Sequence, residues 1–462
     1  MRLRPVITRY LASLLLVTAS SCSINIPPPD LYSDPDAITT VQSARSLLTS
    51  CYLLYPHYEY ELSMLGNDFC PTSLSGKNVD LQNLYNWQDK DISKLATDVW
   101  LAYYNTIASC DVLTERLPNV VAADGTDDAA EVAAITAEVK TLKALCYLQL
   151  LRLYAPAYDE GAEADGIVIK SQVGLEFPAR SSVAVCTDFI RSLLTEAAAT
   201  ANAPSQNGWL SQHAAVYLLA ELELYAGNWT AALAYAQQLL EAAPATALTA
   251  QGYARLWEPA SFEGRLFAFN TATTYYAGIE FDAAEGDYFA LNPALLLSDG
   301  DARKPLNEYP MEMAGATRSL LGKYNRCNKL GQTIAYIDQL RYAGALFIAA
   351  ETLARTGQEA EARQLVNDYL SAMGATPIDA HVSGTALTEA ILQEKAKEFA
   401  GEGTNWFDLK RTHTALPRLN RWGVATASTV KPDDYRWSWP IPSAEYKYNE
   451  AVTQNDGWPI NR

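Results

Sequence analysis

The chain is short of histidine, of basic charge and of patterned cysteine, and each shortage excludes something. Four histidines (57, 213, 381 and 413) lie scattered along 462 residues with no HExxH pairing, so neither a metal site nor a cofactor is expected. Lys and Arg number 35 against 53 Asp and Glu, a formal charge of −18. A surface that acidic argues against nucleic acid and polyanionic ligands. Cysteines 51, 70, 110, 146, 186 and 327 make no CxxC or zinc spacing. Several fall inside apolar helical patterns, which points to buried free thiols rather than a disulfide framework. Apart from one stretch at the N-terminus, no segment approaches about eighteen consecutive apolar residues, so the mature chain is not expected to span a membrane.

That N-terminal stretch is a processing signal. Arg2, Arg4 and Arg9 precede the apolar run YLASLLLVTA (10–19), which is too short to cross a bilayer but suits a secretory leader, residues 1–21. The leader ends at Cys22 in TASSC, similar to a bacterial lipobox, with Ala19 where a bulky aliphatic is usual. Acylation of Cys22 would make a lipid anchor, and several acyl chains on one residue hold stably. The following segment to residue 36 contains three successive prolines (27–29) and reads as an extended tether. Loss of the three leader arginines takes the charge from −18 to −21.

Helical periodicity dominates the remainder, at about 37–55, 94–116, 129–155, 182–202, 211–226, 230–243, 336–356, 359–373 and 385–402. Two helix pairs share one plan. Gly227 is flanked by Ala220 and Ala232, and Gly357 by Ala350 and Ala362, at identical offsets. Small residues there let antiparallel helices approach closely while glycine makes the turn, the tetratricopeptide plan. The two glycines are 130 residues apart, so other elements must interrupt or complete the stack. Stretches 56–92, 245–335 and 413–462 are poor in helical pattern and rich in Tyr, Trp, Gly, Asn, Asp and Pro. The expected fold is therefore all-α dominated, a tetratricopeptide-repeat scaffold whose long irregular loops and short strands carry the ligand face. Its expected divisions are a helical region at 37–244, a loop-rich insertion at 245–335 and a C-terminal region at 336–462.

One short stretch, EFAGEGTNWFDLKR (398–411), has the composition of an active site. Glu394, Glu398 and Glu402 stack at i, i+4, i+8 on a helix. Leu387 and Ile391 share their side, while Lys395, Lys397, Lys410 and Arg411 are the nearest cations. Glutamates wedged between apolar faces need fixed cationic partners, and Gly401 and Gly403 offer a helix exit from which Asp408 can tie back. On these residues alone an active site and a buried structural helix end both remain open.

Several stretches together resemble the SusD/RagB family of Bacteroidetes outer-membrane nutrient-binding lipoproteins. DVWLAYYNTIASCDVLTERL (98–117) is similar to the family's W-x-x-x-Y-x-x-I segment, and AEVKTLKALCYLQLLRLYAPAY (137–158) to its A-E-x-x-x-L-R-A helix, with Lys143 for arginine. LSDGDARK (297–304) carries a D-x-R motif. ILQEKAKEFAGEGTNWFDLKR resembles the E-R-x-x-E-L-x-x-E-G…D-L-x-R signature, with Lys395 and Asn405 in place of arginines. WPIPSAEYKYNEAVTQNDGW (439–458) resembles the closing W-P-I-P-x-x-E…Q-N-P-G-Y. The resemblance implies a scaffold role for 398–411, within a non-catalytic lipoprotein on the outer membrane, facing the extracellular side. Such a protein binds glycan, or peptide in some branches, and passes it to a SusC-like TonB-dependent transporter.

A neutral oligosaccharide needs flat aromatic platforms with hydrogen-bonding side chains beside them. NLYNWQDKD (83–91) sets Tyr85 and Trp87 beside Asn86 and Asp89. NTATTYYAGIEFDAAEGDYF (270–289) offers Tyr275, Tyr276 and Tyr288. Trp87, flanked by polar residues, is expected on a loop outside the core as the leading platform. A glycoside hydrolase is the competing reading; it needs a carboxylate pair at set separation, and no motif nominates one.

Overall fold

The computed structural model describes residues 38–76, 79–122, 126–202, 208–258, 260, 262–269, 288–323 and 337–460. Helices dominate them. α1 (Val41–Leu54) opens with a capping box, in which Thr40 Oγ1 accepts from Ser43 N and Ser43 Oγ from Thr40 N; this satisfies two otherwise orphaned donors. α2 (Glu59–Leu65), α3 (Val79–Tyr85), α4 (Asp89–Arg116), α5 (Asp128–Tyr154) and α6 (Val183–Ala198) follow. Two glycine-hinged pairs come next, α7 (Gln212–Tyr225) with α8 (Trp229–Ala242), and, beyond the short α9 (Ala250–Leu256) and α10 (Lys304–Asn307), α11 (Tyr342–Arg355) with α12 (Glu359–Ala372). α13 (Thr385–Glu398), α14 (Asn405–Arg411) and α15 (Ser443–Tyr448) complete the set.

Both pairs turn as their spacing predicts. Gly227 and Gly357 have φ of +73° and +83°, the left-handed conformation that glycine adopts without a Cβ clash. Ala220, Ala232, Ala350 and Ala362 are fully buried at the close approaches. The 130 residues between the glycines do not separate the units in space, because α8 packs directly against α11. Neighbouring packings of α4 on α5, α5 on α6 and α6 on α7 extend the same stack toward the N-terminus. The intervening segment leaves the stack and returns.

Short strands sit on this frame. β1 (Phe69–Pro71), β3 (Phe289–Leu291), β5 (Ala316–Leu321) and β4 (Glu308–Met313) form an antiparallel sheet in that order. β2 (Arg265–Phe269) pairs with β6 (Ile337–Arg341), and β7 (Leu416–Leu419) pairs with β8 (Thr426–Val430). Three expectations shift accordingly. The helix expected over 336–356 starts only at Tyr342, because Ile337–Arg341 is taken by pairing with β2. The helix expected over 385–402 ends at Glu398, three residues before Gly401 (φ +82°). The 56–92 stretch, expected to be poor in helix, contains α2 and α3.

Five cysteines (51, 70, 110, 146 and 186) are buried and free, as their apolar settings predict; Cys22 and Cys327 lie outside the described residues. No helix among the described residues is long and apolar enough to cross a membrane.

Candidate functional site

The acidic stretch 394–411 folds into two buried charge clusters. In the first, the Glu398 carboxylate, fully buried, accepts from Arg341 Nη1 (2.7 Å), Arg303 Nη1 (3.0 Å) and Tyr369 Oη (2.8 Å). Asp301 holds Arg303 from the other side at 2.7 Å. Lys323 Nζ donates to Glu402 Oε1 (2.7 Å) and to the Glu398 carbonyl (2.7 Å), and Arg341 Nη2 reaches Glu402 at 2.9 Å. Burial alone would raise the Glu398 pKa, but Arg341, Arg303 and Lys323 outweigh it and hold the group down at about 2. In the second cluster, Asp408 accepts from Lys395 (2.8 Å) and Arg411 (2.7 Å), and Arg411 continues to Glu351 (2.5 Å). Asp408 is likewise held at about 2, with burial opposed by Lys395 and Arg411. A carboxyl that stays ionised to about pH 2 and is surrounded by cations cannot deliver a proton near neutrality. The stretch is structural.

Gly401 and Gly403 are the exit from α13. Gly401 N donates to Asp68 Oδ2 (3.0 Å) and Gly403 N to Ser63 Oγ (2.8 Å). A Cβ on Gly403 would lie 3.0 Å from the Glu59 backbone, so this turn seals α13 against α2.

The expected aromatic platform lies inside the protein. Trp87 is 1% exposed. Its ring centroid is 4.7 Å from that of Trp437 and 5.0 Å from that of Trp406, and its Nε1 donates to the Leu65 carbonyl (3.3 Å). The local chain explains this. Trp87 has φ +53° and caps α3, with Trp87 N bonded to Leu84 O and Gln88 N to Asn83 O, a helix-ending turn in which glycine is usual. That reversal turns the indole inward while Asn86, Gln88 and Asp89 stay exposed. Polar neighbours in sequence therefore mark the two sides of a cap, not the surroundings of the ring. Tyr85 is also 1% exposed, covered by the Arg418 guanidinium 3.7 Å from its centroid. Tyr288 is buried at the start of β3. Tyr275 and Tyr276 lie outside the described residues.

Asn86 and Asp89, by contrast, are at the surface, and the sequence reading passed over two exposed rings, Tyr435 beside Asp89 and Trp422 on the hairpin held by Tyr85. Tyr435, 37% exposed, donates through Oη to Asp89 Oδ2 (2.7 Å) and packs edge-on against Trp458 at 5.1 Å. Burial and the Asp89 carboxylate push its pKa up to about 12. Arg436 is fixed by Asp434 (2.7 Å) and donates to the Trp87 carbonyl (2.5 Å). Trp422, 44% exposed, rides the tip of the β7–β8 hairpin. Asn420 Oδ1 accepts from Trp422 N (3.1 Å) and Val424 N (3.4 Å), which fixes that tip. The hairpin is moored to the same α3 end: Tyr85 Oη donates to Leu419 O (3.0 Å), and Arg418 donates to Tyr85 O (2.6 Å). Interleaved aromatic and polar residues at 418–437 were the available signal. A groove of about 580 Å³ runs between α13, α14 and this hairpin, with Asn292, Glu389, Gln393, Thr412 and Val424 among its walls, a size suited to a ligand of a few hundred daltons.

A more enclosed cavity of about 70 Å³ lies between α5, α7 and α14, bordered by Tyr55, Gln149, Arg152, Tyr217 and Lys410. At roughly 10–15 Å³ per water, it has room for a few waters and none for a sugar ring. Lys410 is committed to structure, since its Nζ donates to Arg152 O (2.8 Å) and Ala155 O (2.6 Å) at the end of α5. Among the described residues no cluster of His, Cys, Asp and Glu is arranged to hold a metal ion.

A helical-repeat frame bearing a small irregular surface with exposed aromatic and polar side chains is the build of a binding protein. Residues 292–458 match the model of the SusD family. No curated protein matches the sequence. Among solved structures, a SusD superfamily protein from Bacteroides thetaiotaomicron is similar at 22% identity, covering 90% of this chain and 100% of its own, with a TM-score of 0.73. A SusD superfamily protein from Bacteroides vulgatus matches at 21% identity over 91% of this chain and 100% of its own, TM-score 0.73. A SusD-like carbohydrate binding protein from Bacteroides vulgatus matches at 18% identity over 90% and 97%, TM-score 0.69. At these identities the structures share the fold.

Proposed function

We propose that the chain is a non-catalytic surface lipoprotein that binds oligo- or polysaccharide and hands it to a SusC-like TonB-dependent transporter of the outer membrane. The observation that carries the reading is the pair of exposed rings, Trp422 and Tyr435, moored to the α3–α4 turn that exposes Asn86 and Asp89. Each ring offers an apolar face to a sugar, and the carboxamide, carboxylate and Arg436 supply hydroxyl partners. The groove beside the hairpin gives a longer glycan room to continue. The carbohydrate-binding description of one structural relative supports the ligand class, and the leader ending at Cys22 supports a lipid anchor.

A glycan array set beside a peptide panel tests the ligand. Glycan binding that Trp422→Ala weakens supports the proposal, whereas peptide binding with no glycan retained shifts the reading to a peptide-binding member. Release of reducing sugar from a bound glycan would show a hydrolase instead. Cys22→Ser should free the protein from the membrane fraction of its native host, and retention of that variant would overturn the anchor.

A further inference from the structure

The β7–β8 hairpin has two edges of different character. Pro417, in the middle of β7, pairs with Thr429 of β8. Proline is tolerated within a ladder where its missing N–H would point out of it. Pro417 and Thr429 are then a non-hydrogen-bonded pair, and Thr429 turns its N–H and C=O away from β7. β7 carries its own proline at its outer edge; β8 carries none. Residues Thr426 to Thr429 are exposed, and among the described residues nothing pairs with the far side of β8. Its sequence TASTV has no lysine, no proline and no charge, so the side-chain devices that keep an edge from pairing are missing. The ladder slips by one residue at Ala427, and Ser428 to Val430 beyond the slip are in regular register.

The charges around this edge are equally unusual for the chain. Arg421, at the hairpin tip, and Lys431, directly after β8, are both exposed. Arg318, beside the tip, donates to Arg421 O (3.2 Å) and to Cys70 Sγ (2.9 Å). Among the described residues none of the three has a carboxylate within salt-bridge distance, although Asp and Glu outnumber Lys and Arg by 53 to 35. Ion pairing elsewhere is dense, so three carboxylate-free cations bracketing one bare edge are a local reversal of the protein's charge.

We propose that the outer edge of β8 is a docking site for an extended, acidic segment of a partner protein, added as a third antiparallel strand to the hairpin. Main-chain bonds from Thr429, in the regular part of β8, would supply affinity, and Arg421 and Lys431 would select acidic residues at the segment's two ends. Because the hairpin tip also carries Trp422, such a partner would sit directly beside the candidate sugar platform. The inference does not depend on the ligand of that platform.

Fluorescence anisotropy on residues 23–462, the mature chain without the lipid-bearing Cys22, tests it with a labelled peptide of alternating threonine and valine that carries glutamates at both ends. Binding of this peptide, at least tenfold weaker for a version with lysines at both ends, is the expected result. Thr429→Pro, which removes the outward N–H and leaves the ladder to β7, should abolish binding with the melting temperature little changed. Arg421→Glu combined with Lys431→Glu should reverse the preference between the two peptides, a gain of binding that misfolding cannot imitate. Equal binding of both peptides, binding that survives Thr429→Pro, or no binding at millimolar peptide each overturns the proposal. A concentration-dependent dimer that Thr429→Pro dissolves would overturn it in favour of β8 pairing between two copies.

Discussion

Residues 394–411 and residues 418–437 draw on the same residue types, and the structure uses them in opposite ways. In the first, carboxylates, arginines and a tryptophan are sealed from water: Glu398 and Trp406 have no exposed surface, and Arg411 bridges Asp408 and Glu351. In the second, Trp422 and Tyr435 are open, and Arg421 has no carboxylate partner among the described residues. Composition does not distinguish them. Burial does: Arg436 and Asp434 pair in the second region too, but there the two rings and Arg421 stay open to water, and that is the region that can meet a ligand.

The sharpest way to break this contrast is to remove one buried partner. Glu398→Ala leaves Arg303 and Arg341 facing each other without their shared carboxylate, and loss of one member of such a network costs about 3–5 kcal/mol. A urea midpoint that drops accordingly is expected; an unchanged midpoint with lost glycan binding would make the stretch a site. Trp87→Ala tests the same side of the comparison through packing. A Trp-to-Ala truncation in a core costs about 3–5 kcal/mol, so stability should fall while the folded fraction keeps its affinity. Lost binding at unchanged stability would return Trp87 to the ligand face.

Acid probes the buried charges together. Glu398 and Asp408 have folded pKa values near 2, below their unfolded values, so the stability they contribute is present above about pH 4.5 and is lost as pH falls toward 2. Asp68 runs the other way. Burial raises it to about 7 against the bonds from Gly401, Ser63 and Asn405, so its contribution grows as pH falls from 7 through 4. Lys410, which burial lowers to about 7, adds the opposite slope above that pH, so the rise from Asp68 stands clear only below about pH 6. Stability measured from there downward should hold or rise slightly, then collapse below about pH 4.5. A monotonic decline from about pH 6 would contradict the Asp68 assignment.

Smaller effects sharpen the exposed side. Trp422→Ala should weaken glycan binding by about 2 kcal/mol, roughly thirtyfold, with little change in melting temperature. Tyr435→Phe keeps the ring and removes the bond to Asp89, so a change of about 1 kcal/mol or less is expected in affinity. A larger loss than that from Trp422→Ala would move the platform's centre to Tyr435.

The long helices of the stack, both glycine turns and the need of 394–411 for cations were legible in the sequence, because each follows from local periodicity or from spacing along one helix, whereas α2, α3 and the strand start of 337–341 were not. A carboxylate stripe at i, i+4, i+8 that shares a face with leucine and isoleucine declares its need for cations before any fold is known. The cations that answer it were only half visible. Lys395 and Arg411 are neighbours in sequence, while Arg303, Lys323 and Arg341 come from 57 to 95 residues away from Glu398 or 61 to 79 from Glu402. The D-x-R resemblance singled out Asp301 and Arg303 without indicating what they bind.

Which aromatics are open was decided by tertiary structure alone. Trp87 has polar neighbours on both sides and still lies in the core, because a left-handed cap at the end of α3 points it at Trp406 and Trp437, more than 300 residues further along the chain. Trp422 is exposed on the tip of a hairpin whose base is held by Tyr85 and Arg418 and whose tip rests on Arg318. Local sequence determines where a backbone turns. Whether a side chain at that turn meets protein or water depends on what distant segments bring to it, and that is set only when the whole chain has packed.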